Sequence, residues 1–105
     1  METTKNSGMK NNRRDENDGT IFIGQKPPMI YVISAIAQFG RGKKEIRIKA
    51  RGKMIAKAVD VAEIIKNRFF NDCKIENVRT GTESVESIKF NRRLNVSTIE
   101  LTVRK

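Results

Sequence analysis

The sequence predicts an α/β domain, an α+β sandwich of order βαβαββ in which two helices cover one face of a four-stranded mixed sheet. Two patterns carry this prediction. In residues 45–51 apolar and charged side chains alternate, as in a half-buried strand. After Gly52, apolar side chains recur at helical spacing over residues 54–69. A chain of 105 residues is long enough for one hydrophobic core, so we expect one domain over residues 19–105.

The segment before this domain differs in composition. Residues 1–18 are polar, rich in Asn and without apolar periodicity, which predicts a disordered tail. The protein has 22 basic and 12 acidic residues and a net charge of +10; four of each sign lie in the tail, which leaves 18 basic and 8 acidic residues in the domain. An excess of this size in the folded part indicates a polyanionic partner or an anionic surface.

The first strand and the first helix follow from local composition. Residues 20–24, TIFIG, have strand composition and end at a glycine. Pro27 and Pro28 then supply the fixed φ angle that suits a helix start. From Met29 apolar side chains recur at helical spacing until Gly40, where we expect this helix to end.

The C-terminal third predicts a hairpin. Residues 96–104 alternate apolar and polar side chains and predict the last strand. Residues 74–85 lack one clean apolar face, and Gly81 predicts a bulge or bend within them. Residues 86–95, ESIKFNRRLN, have no apolar periodicity that would tie them to a core. We expect them to form the tip of an extended C-terminal β-hairpin arm.

The residue content excludes several classes of function. Histidine is absent and Cys73 is the only cysteine, which excludes His-based catalytic triads, His-ligated metal sites and disulfides within the chain. We therefore expect neither an enzyme nor a cofactor. The longest apolar run without charge, residues 29–39, is too short to cross a bilayer, so we expect no membrane partner. The N-terminus lacks an apolar secretory signal, which predicts a cytoplasmic protein.

A phosphate site is expected where the first two strands end. Lys26 follows the first strand and Arg51 ends the second, so both lie near the helix starts if these strands are neighbours. Backbone N–H groups at the start of the second helix add a partial positive potential suited to an anion. The candidate phosphate contacts are Lys26, Lys49, Arg51, Lys53 and Lys57. For Arg47, Lys49 and Lys57 the alternative is an ordinary solubilising charge.

The arm tip provides a second group of candidates. Lys89, Arg92 and Arg93 could enter a minor groove, where guanidinium groups read groove width and negative potential. Phe90 either wedges against a sugar or base or folds back on its own hairpin. Nothing in the sequence has the pattern of a recognition helix, so we expect no base-specific readout.

Three segments, IGQKPPMIYVISAI, EIRIKARGKMIAKAVDVAEIIKNRFF and VSTIELTVRK, resemble the Alba family of small basic archaeal chromatin proteins. The resemblance covers residues 21–105 and is most specific in IKARGKMIAKAVDVAEIIKNRF. It implies a homodimer with a compact body and two β-hairpin arms. It also implies binding to double-stranded DNA, and often RNA, with the body over the duplex and the arms along neighbouring minor grooves.

The resemblance also assigns positions. The family's paired lysines after the first strand fall on Gln25 and Lys26, its central arginine on Arg51, and the next basic position on Lys53. The aromatic residue of its dimer–dimer contact falls on Phe69. Gln25 departs from the family, because a neutral amide replaces a lysine whose acetylation is associated with loss of charge. That switch cannot operate here, and we expect weaker or more selective binding.

Two functions are therefore expected from the sequence. The first is an architectural protein that coats or bridges duplex DNA as a homodimer, with higher-order dimer–dimer assembly, in association with the chromosome. The second is an RNA-binding or assembly subunit of a ribonucleoprotein, because relatives that resemble Alba include ribonuclease P subunits. The predicted nucleic-acid contacts are Gln25, Lys26, Lys49, Arg51, Lys53, Lys57, Lys89, Arg92 and Arg93.

Overall fold

The structure, a computed structural model, describes residues 19–105. The tail predicted over residues 1–18 lies outside the described residues. Six regular elements follow in the order β1 (Thr20–Phe22), α1 (Pro28–Gly40), β2 (Glu45–Arg51), α2 (Ile55–Ile64), β3 (Lys74–Ser87) and β4 (Arg92–Arg104). A 3₁₀ turn, Gly52–Met54, leads into α2, and a π-helical turn, Ile65–Phe69, continues it.

The four strands form one mixed sheet in the order β1-β2-β4-β3. β1 pairs with β2 in parallel, whereas β4 is antiparallel to both β2 and β3. Opposite residues share a face, so Ile21, Ile48 and Leu101 point to the same side. The predicted βαβαββ order and four-stranded mixed sheet are confirmed.

The core lies between the sheet and the two helices. Ile46 and Ile48 of β2 are fully buried, and so are Val32 of α1 and Val61 of α2. Burial of an aliphatic side chain of this size stabilises the fold by about 1.5–3 kcal/mol. Both helices therefore cover the same face of the sheet, as the alternation in β2 predicts. Gln38 is also buried, and neither polar atom of its side chain has a hydrogen-bond partner within residues 19–105.

The helix boundaries follow from the residues beside them. α1 begins at Pro28 and ends at Gly40, where the Arg41 N–H donates to the carbonyl groups of the last turn. Gly52 has a φ of +59°, which lets the chain turn sharply from β2 into α2. After α2, the Phe70 N–H donates to the Ile65 carbonyl at 2.9 Å, a five-residue spacing that marks the π-helical turn.

The C-terminal hairpin is longer than its sequence pattern indicates. β3 and β4 are 14 and 13 residues long and pair as far as Ser87 and Arg92. The bulge predicted at Gly81 is wrong, because the register shifts between Glu76 and Arg79, around Asn77. Gly81 stays in register, and a Cβ atom there would lie 3.0 Å from the opposing threonine hydroxyl, so close packing explains this glycine.

Candidate nucleic-acid interface

One edge of the sheet, which we call the top edge, collects the ends of β1 and β2 and the starts of both helices. β1 and β2 are parallel with Phe22 opposite Lys49, so the two strands end side by side. The chain enters α1 and α2 directly after them. The top edge therefore consists of residues 23–27, between β1 and α1, and residues 51–54, which are the last residue of β2 and the turn that leads into α2.

The arm leaves the body from the top edge. β4 is antiparallel to β2, and Arg51, the last residue of β2, is opposite Thr98. Beyond this point β3 and β4 go on pairing without β2, as far as Ser87 and Arg92. We call residues 81–98 the arm; at roughly 3.3 Å per residue it extends about 20 Å beyond the top edge. The structure thus places the predicted arm and the chain positions of the predicted phosphate contacts on one side of the molecule.

Side chains from both helices hold the loop between β1 and α1. The Tyr31 hydroxyl of α1 accepts hydrogen bonds from the Gly24 N–H at 2.9 Å and the Lys26 N–H at 3.2 Å. The Lys57 ammonium of α2 donates to the Gly24 carbonyl at 2.9 Å and the Lys26 carbonyl at 2.8 Å. Gln25 and Lys26 are exposed to solvent. Lys57, predicted to bind phosphate, therefore has its ammonium on two backbone carbonyls of the loop.

Lys49 and Arg51 lie on the open face of the sheet, which is the face opposite the helices. Each has a carboxylate partner there: Arg51 Nη1 lies 3.0 Å from Glu83 Oε1, and Lys49 Nζ lies 3.9 Å from Glu100 Oε1. The sequence did not indicate either carboxylate partner, because both belong to strands that are far from β2 along the chain, although they lie in the same sheet. The Arg51–Glu83 pair is exposed and the Lys49–Glu100 pair is partly exposed, and pairs of this kind contribute only ~0–1 kcal/mol, so the carboxylates hold these cations weakly.

The open face also carries a groove of about 630 Å³ next to the arm. Phe22 on its rim is about half exposed, and Lys49 Nζ lies 5.7 Å from the centre of that ring. The groove has mixed charge, and its main lining residues are Phe22, Lys49, Arg51, Arg79, Glu83 and Glu100. Arg79 was not among the predicted contacts, because residues 74–85 show no alternation that would assign it to this face.

The arm tip combines cations with exposed apolar side chains. Ile88 is 94% exposed and Phe90 is 57% exposed, and Lys89 Nζ lies 5.6 Å from the centre of the Phe90 ring. Arg92 and Arg93 are both exposed, and the Arg93 guanidinium also donates to the Ser84 hydroxyl across the hairpin at 3.0 Å. The tip therefore presents two apolar side chains and three cations to solvent: Ile88, Phe90, Lys89, Arg92 and Arg93.

The two phenylalanines after α2 have different surroundings. Phe70 packs edge-on against Phe39, with ring centres 5.2 Å apart, and Lys105 Nζ lies 4.7 Å from the centre of the Phe70 ring. Phe69, in the π-helical turn, is 44% exposed. The structure thus exposes Phe69, the residue that the resemblance assigns to a dimer–dimer contact, and packs Phe70 against the core.

Three further features of the described chain concern metal binding, the cysteine thiol and membrane-spanning helices. Among residues 19–105 no group of three or more His, Cys, Asp or Glu side chains could hold a metal ion. Burial raises the pKa of the Cys73 thiol, so this lone thiol is neutral near pH 7. No helix in the described part of the chain is long and apolar enough to span a membrane.

Comparison with known proteins agrees with this architecture. The sequence profile of the Alba family matches residues 19–82, which end just inside the arm. The chain is 44% identical over 88 residues to the DNA/RNA-binding protein Alba of Methanocella arvoryzae, covering 84% of this chain and 91% of that protein. The identity to the DNA/RNA-binding protein Alba of Thermoplasma volcanium is also 44% over 88 residues, covering 84% of this chain and 97% of that protein.

Solved structures give the same result. Alba from Thermoplasma volcanium superposes with a TM-score of 0.77 at 45% identity, over 82% of this chain and 99% of that one. An Alba protein from Trypanosoma brucei, 22% identical, superposes with a TM-score of 0.67 over 83% of this chain and 68% of that one, a likeness of fold. The profile match over more than half of the chain and the 44% identity to relatives of similar length show that this chain belongs to the Alba family.

Proposed function

We propose that this protein binds double-stranded DNA as an architectural chromatin protein, largely through the phosphate backbone and the minor groove, and that it also binds RNA. The observation that carries the proposal is that the arm extends from the same edge that holds Lys26 and Arg51. Two relatives are named DNA/RNA-binding proteins, which supports the same class of ligand.

The top edge contacts the phosphate backbone in this proposal. Lys26 and Lys53 are exposed on the two loops of the edge, and Arg51 is opposite Thr98 at the base of the arm. The 3₁₀ turn Gly52–Met54 leads into α2 at the same place, and neither has an acidic residue in its first turn, so the N-terminal end of this helical segment favours an anion. Cations that replace condensed counterions gain affinity without reading sequence.

The arm follows the duplex away from the body. Its length of about 20 Å is close to two-thirds of a helical turn of B-DNA, so the tip reaches a groove next to the phosphates under the top edge. Lys89 and Arg92 at the tip suit the negative potential of a minor groove, and Ile88 and Phe90 suit its apolar sugar walls. A phenylalanine that is 57% exposed supports the contact with nucleic acid over packing on its own hairpin.

A homodimer brings two top edges and two arms to one duplex. Large apolar side chains on the helix layer are exposed in the single chain, among them Ile33 at 58%, Val59 at 41% and Phe69 at 44%. Exposed apolar side chains of this size support contacts between copies, and we assign Phe69 to the contact between dimers on DNA. In this proposal the protein is cytoplasmic and associated with the chromosome.

A salt titration tests the proposal. Binding of a 30-base-pair duplex is followed by fluorescence anisotropy at several salt concentrations. If each dimer neutralises about 6 phosphates, log K falls against log[salt] with a slope of roughly −5, and a flat dependence would exclude backbone binding. Arg51→Ala should weaken binding to unrelated sequences equally.

Competition between structured RNA and the duplex for the protein tests the second function. RNA bound more than about tenfold tighter than the duplex would favour a ribonucleoprotein subunit instead.

A further inference from the structure

We propose that Lys57 and Tyr31 are positioning residues of the nucleic-acid site: they hold the loop between β1 and α1 so that Lys26 meets the phosphate backbone. In this inference Lys57 does not itself bind phosphate. The inference rests on the proposed function, because it explains how one of the proposed phosphate contacts is kept in place.

The hydrogen bonds of Lys57 carry the first step. An ammonium group has three donors. Two of them are used by the carbonyl oxygens of Gly24 and Lys26, at 2.9 and 2.8 Å. These carbonyls belong to the loop, and the Lys57 side chain is half-buried as it crosses from α2 to reach them. Most of the donor capacity of Lys57 is therefore directed at the protein.

Tyr31 holds the same two residues through their other backbone groups. Its hydroxyl oxygen accepts from the N–H groups of Gly24 and Lys26, which uses both of its lone pairs. The close approach depends on Gly24, because a Cβ atom there would lie 3.1 Å from the hydroxyl oxygen. All four backbone polar groups of these two residues are thus bonded to side chains of the helices.

The consequence for binding is preorganisation. A loop that is free in the unbound protein must lose backbone freedom when it binds, and that cost reduces affinity. A loop that is already fixed avoids this loss. Tyr31 belongs to α1 and Lys57 to α2, and both helices are packed in the body. Their hydrogen bonds therefore fix the backbone of Lys26 relative to the body. We expect Lys57→Met, which keeps the aliphatic stem, to weaken duplex binding about 3- to 10-fold.

Amide hydrogen exchange tests the inference without nucleic acid. Lys57→Met should speed exchange of the Gly24 and Lys26 amides by about tenfold or more and leave β2 amides unchanged. The matched control is Lys53→Met, which removes a nearby lysine that makes no hydrogen bond to the loop and should leave both amides protected. Unchanged protection in Lys57→Met would overturn the inference. If that variant fails to fold, Tyr31→Phe is used instead, because it removes the hydroxyl that accepts from the Gly24 and Lys26 N–H groups. It should speed exchange of the same two amides.

A double-mutant cycle on duplex binding separates positioning from direct contact. If Lys57 acts through Lys26, adding Lys57→Met to Lys26→Gln should change affinity by less than about 1.5-fold. Tyr31→Phe should behave in the same way, whereas Lys53→Met should be additive with Lys26→Gln. Additive losses from Lys57→Met and Lys26→Gln would show that Lys57 binds phosphate directly and would overturn the inference. Absence of salt-dependent binding by the unaltered protein would instead refute the proposed function, and the exchange result would remain informative.

Discussion

Removal of the carboxylate that pairs with Arg51 should strengthen binding to DNA. Glu83 lies at the base of the arm, and its Oε1 is 3.0 Å from Arg51 Nη1. A phosphate that contacts Arg51 must compete with this carboxylate. We therefore predict that Glu83→Gln tightens duplex binding, because the neutral amide competes less well for the guanidinium.

The size of the effect follows from the exposure of the pair. The side chains of Arg51 and Glu83 are 64% and 54% exposed, so solvent screens the interaction strongly. An exposed pair contributes ~0–1 kcal/mol, which corresponds to at most about fivefold in affinity. We expect a gain of about two- to fivefold at low salt, measured by fluorescence anisotropy, that shrinks as salt is added.

Glu76→Gln is the matched control. Glu76 lies on the same strand and pairs with Arg104 at 2.6 Å, but this pair is at the end of the sheet away from the arm. Both variants change the net charge equally, so a general electrostatic effect would move both affinities together. The gain from Glu83→Gln should also vanish in an Arg51→Ala background. Equal gains from Glu83→Gln and Glu76→Gln, or a gain that survives Arg51→Ala, would refute the reasoning.

Four further results are expected. Gln38→Met should raise Tm by several degrees, because it removes a buried side-chain amide that has no hydrogen-bond partner in the described chain. The expected increase in the free energy of unfolding is about 1–2 kcal/mol, and a lower Tm would contradict this. Ile48→Ala should lower the free energy of unfolding in urea by about 2–5 kcal/mol, and a loss below about 1 kcal/mol would argue against the core described above. Gln25→Lys should tighten duplex binding and steepen the salt dependence by about 0.9 per new contact, whereas an unchanged slope would place this residue outside the interface. Replacing Arg92 and Arg93 by Gln should weaken binding without lowering Tm, since exposed substitutions typically change stability by less than about 0.5 kcal/mol; unchanged affinity would remove the tip from the site.

The body of the protein could be predicted from the sequence because its strands and helices each bury one face. Apolar and charged side chains alternate in β2, and apolar side chains recur at helical spacing after Gly52, because one face of each element is buried. The structure has both elements at those positions. The arm could not be delimited in the same way. Most of its side chains are exposed, so no apolar alternation marks where its strands begin. The bulge near Asn77 left no signal either, because a positive φ at Asn is one of several local choices.

The candidate site was predictable in its chain positions but not in its bonding. Parallel pairing of β1 and β2 follows from the order of elements, and it places Lys26 and Arg51 on one edge. The partners of Lys57 and Arg51 are 31 to 33 and 32 residues away in the sequence, so no local pattern indicates them. Lysine and arginine in a basic protein are read as solvent-facing cations, and only the fold shows which of them already have acceptors.

The central claim is that nucleic acid binds the top edge and the arm, and one measurement tests it most directly. The opposite edge of the sheet is basic too: the Lys105 N–H donates to the Lys44 carbonyl at 2.9 Å, and Lys74 is opposite Arg104 on the neighbouring strand. Backbone chemical shifts recorded with and without a 30-base-pair duplex distinguish the two edges. We expect the largest changes in residues 24–26, 51–54 and 81–98. Changes concentrated at Lys44, Lys74 and Lys105, with the arm unaffected, would contradict it.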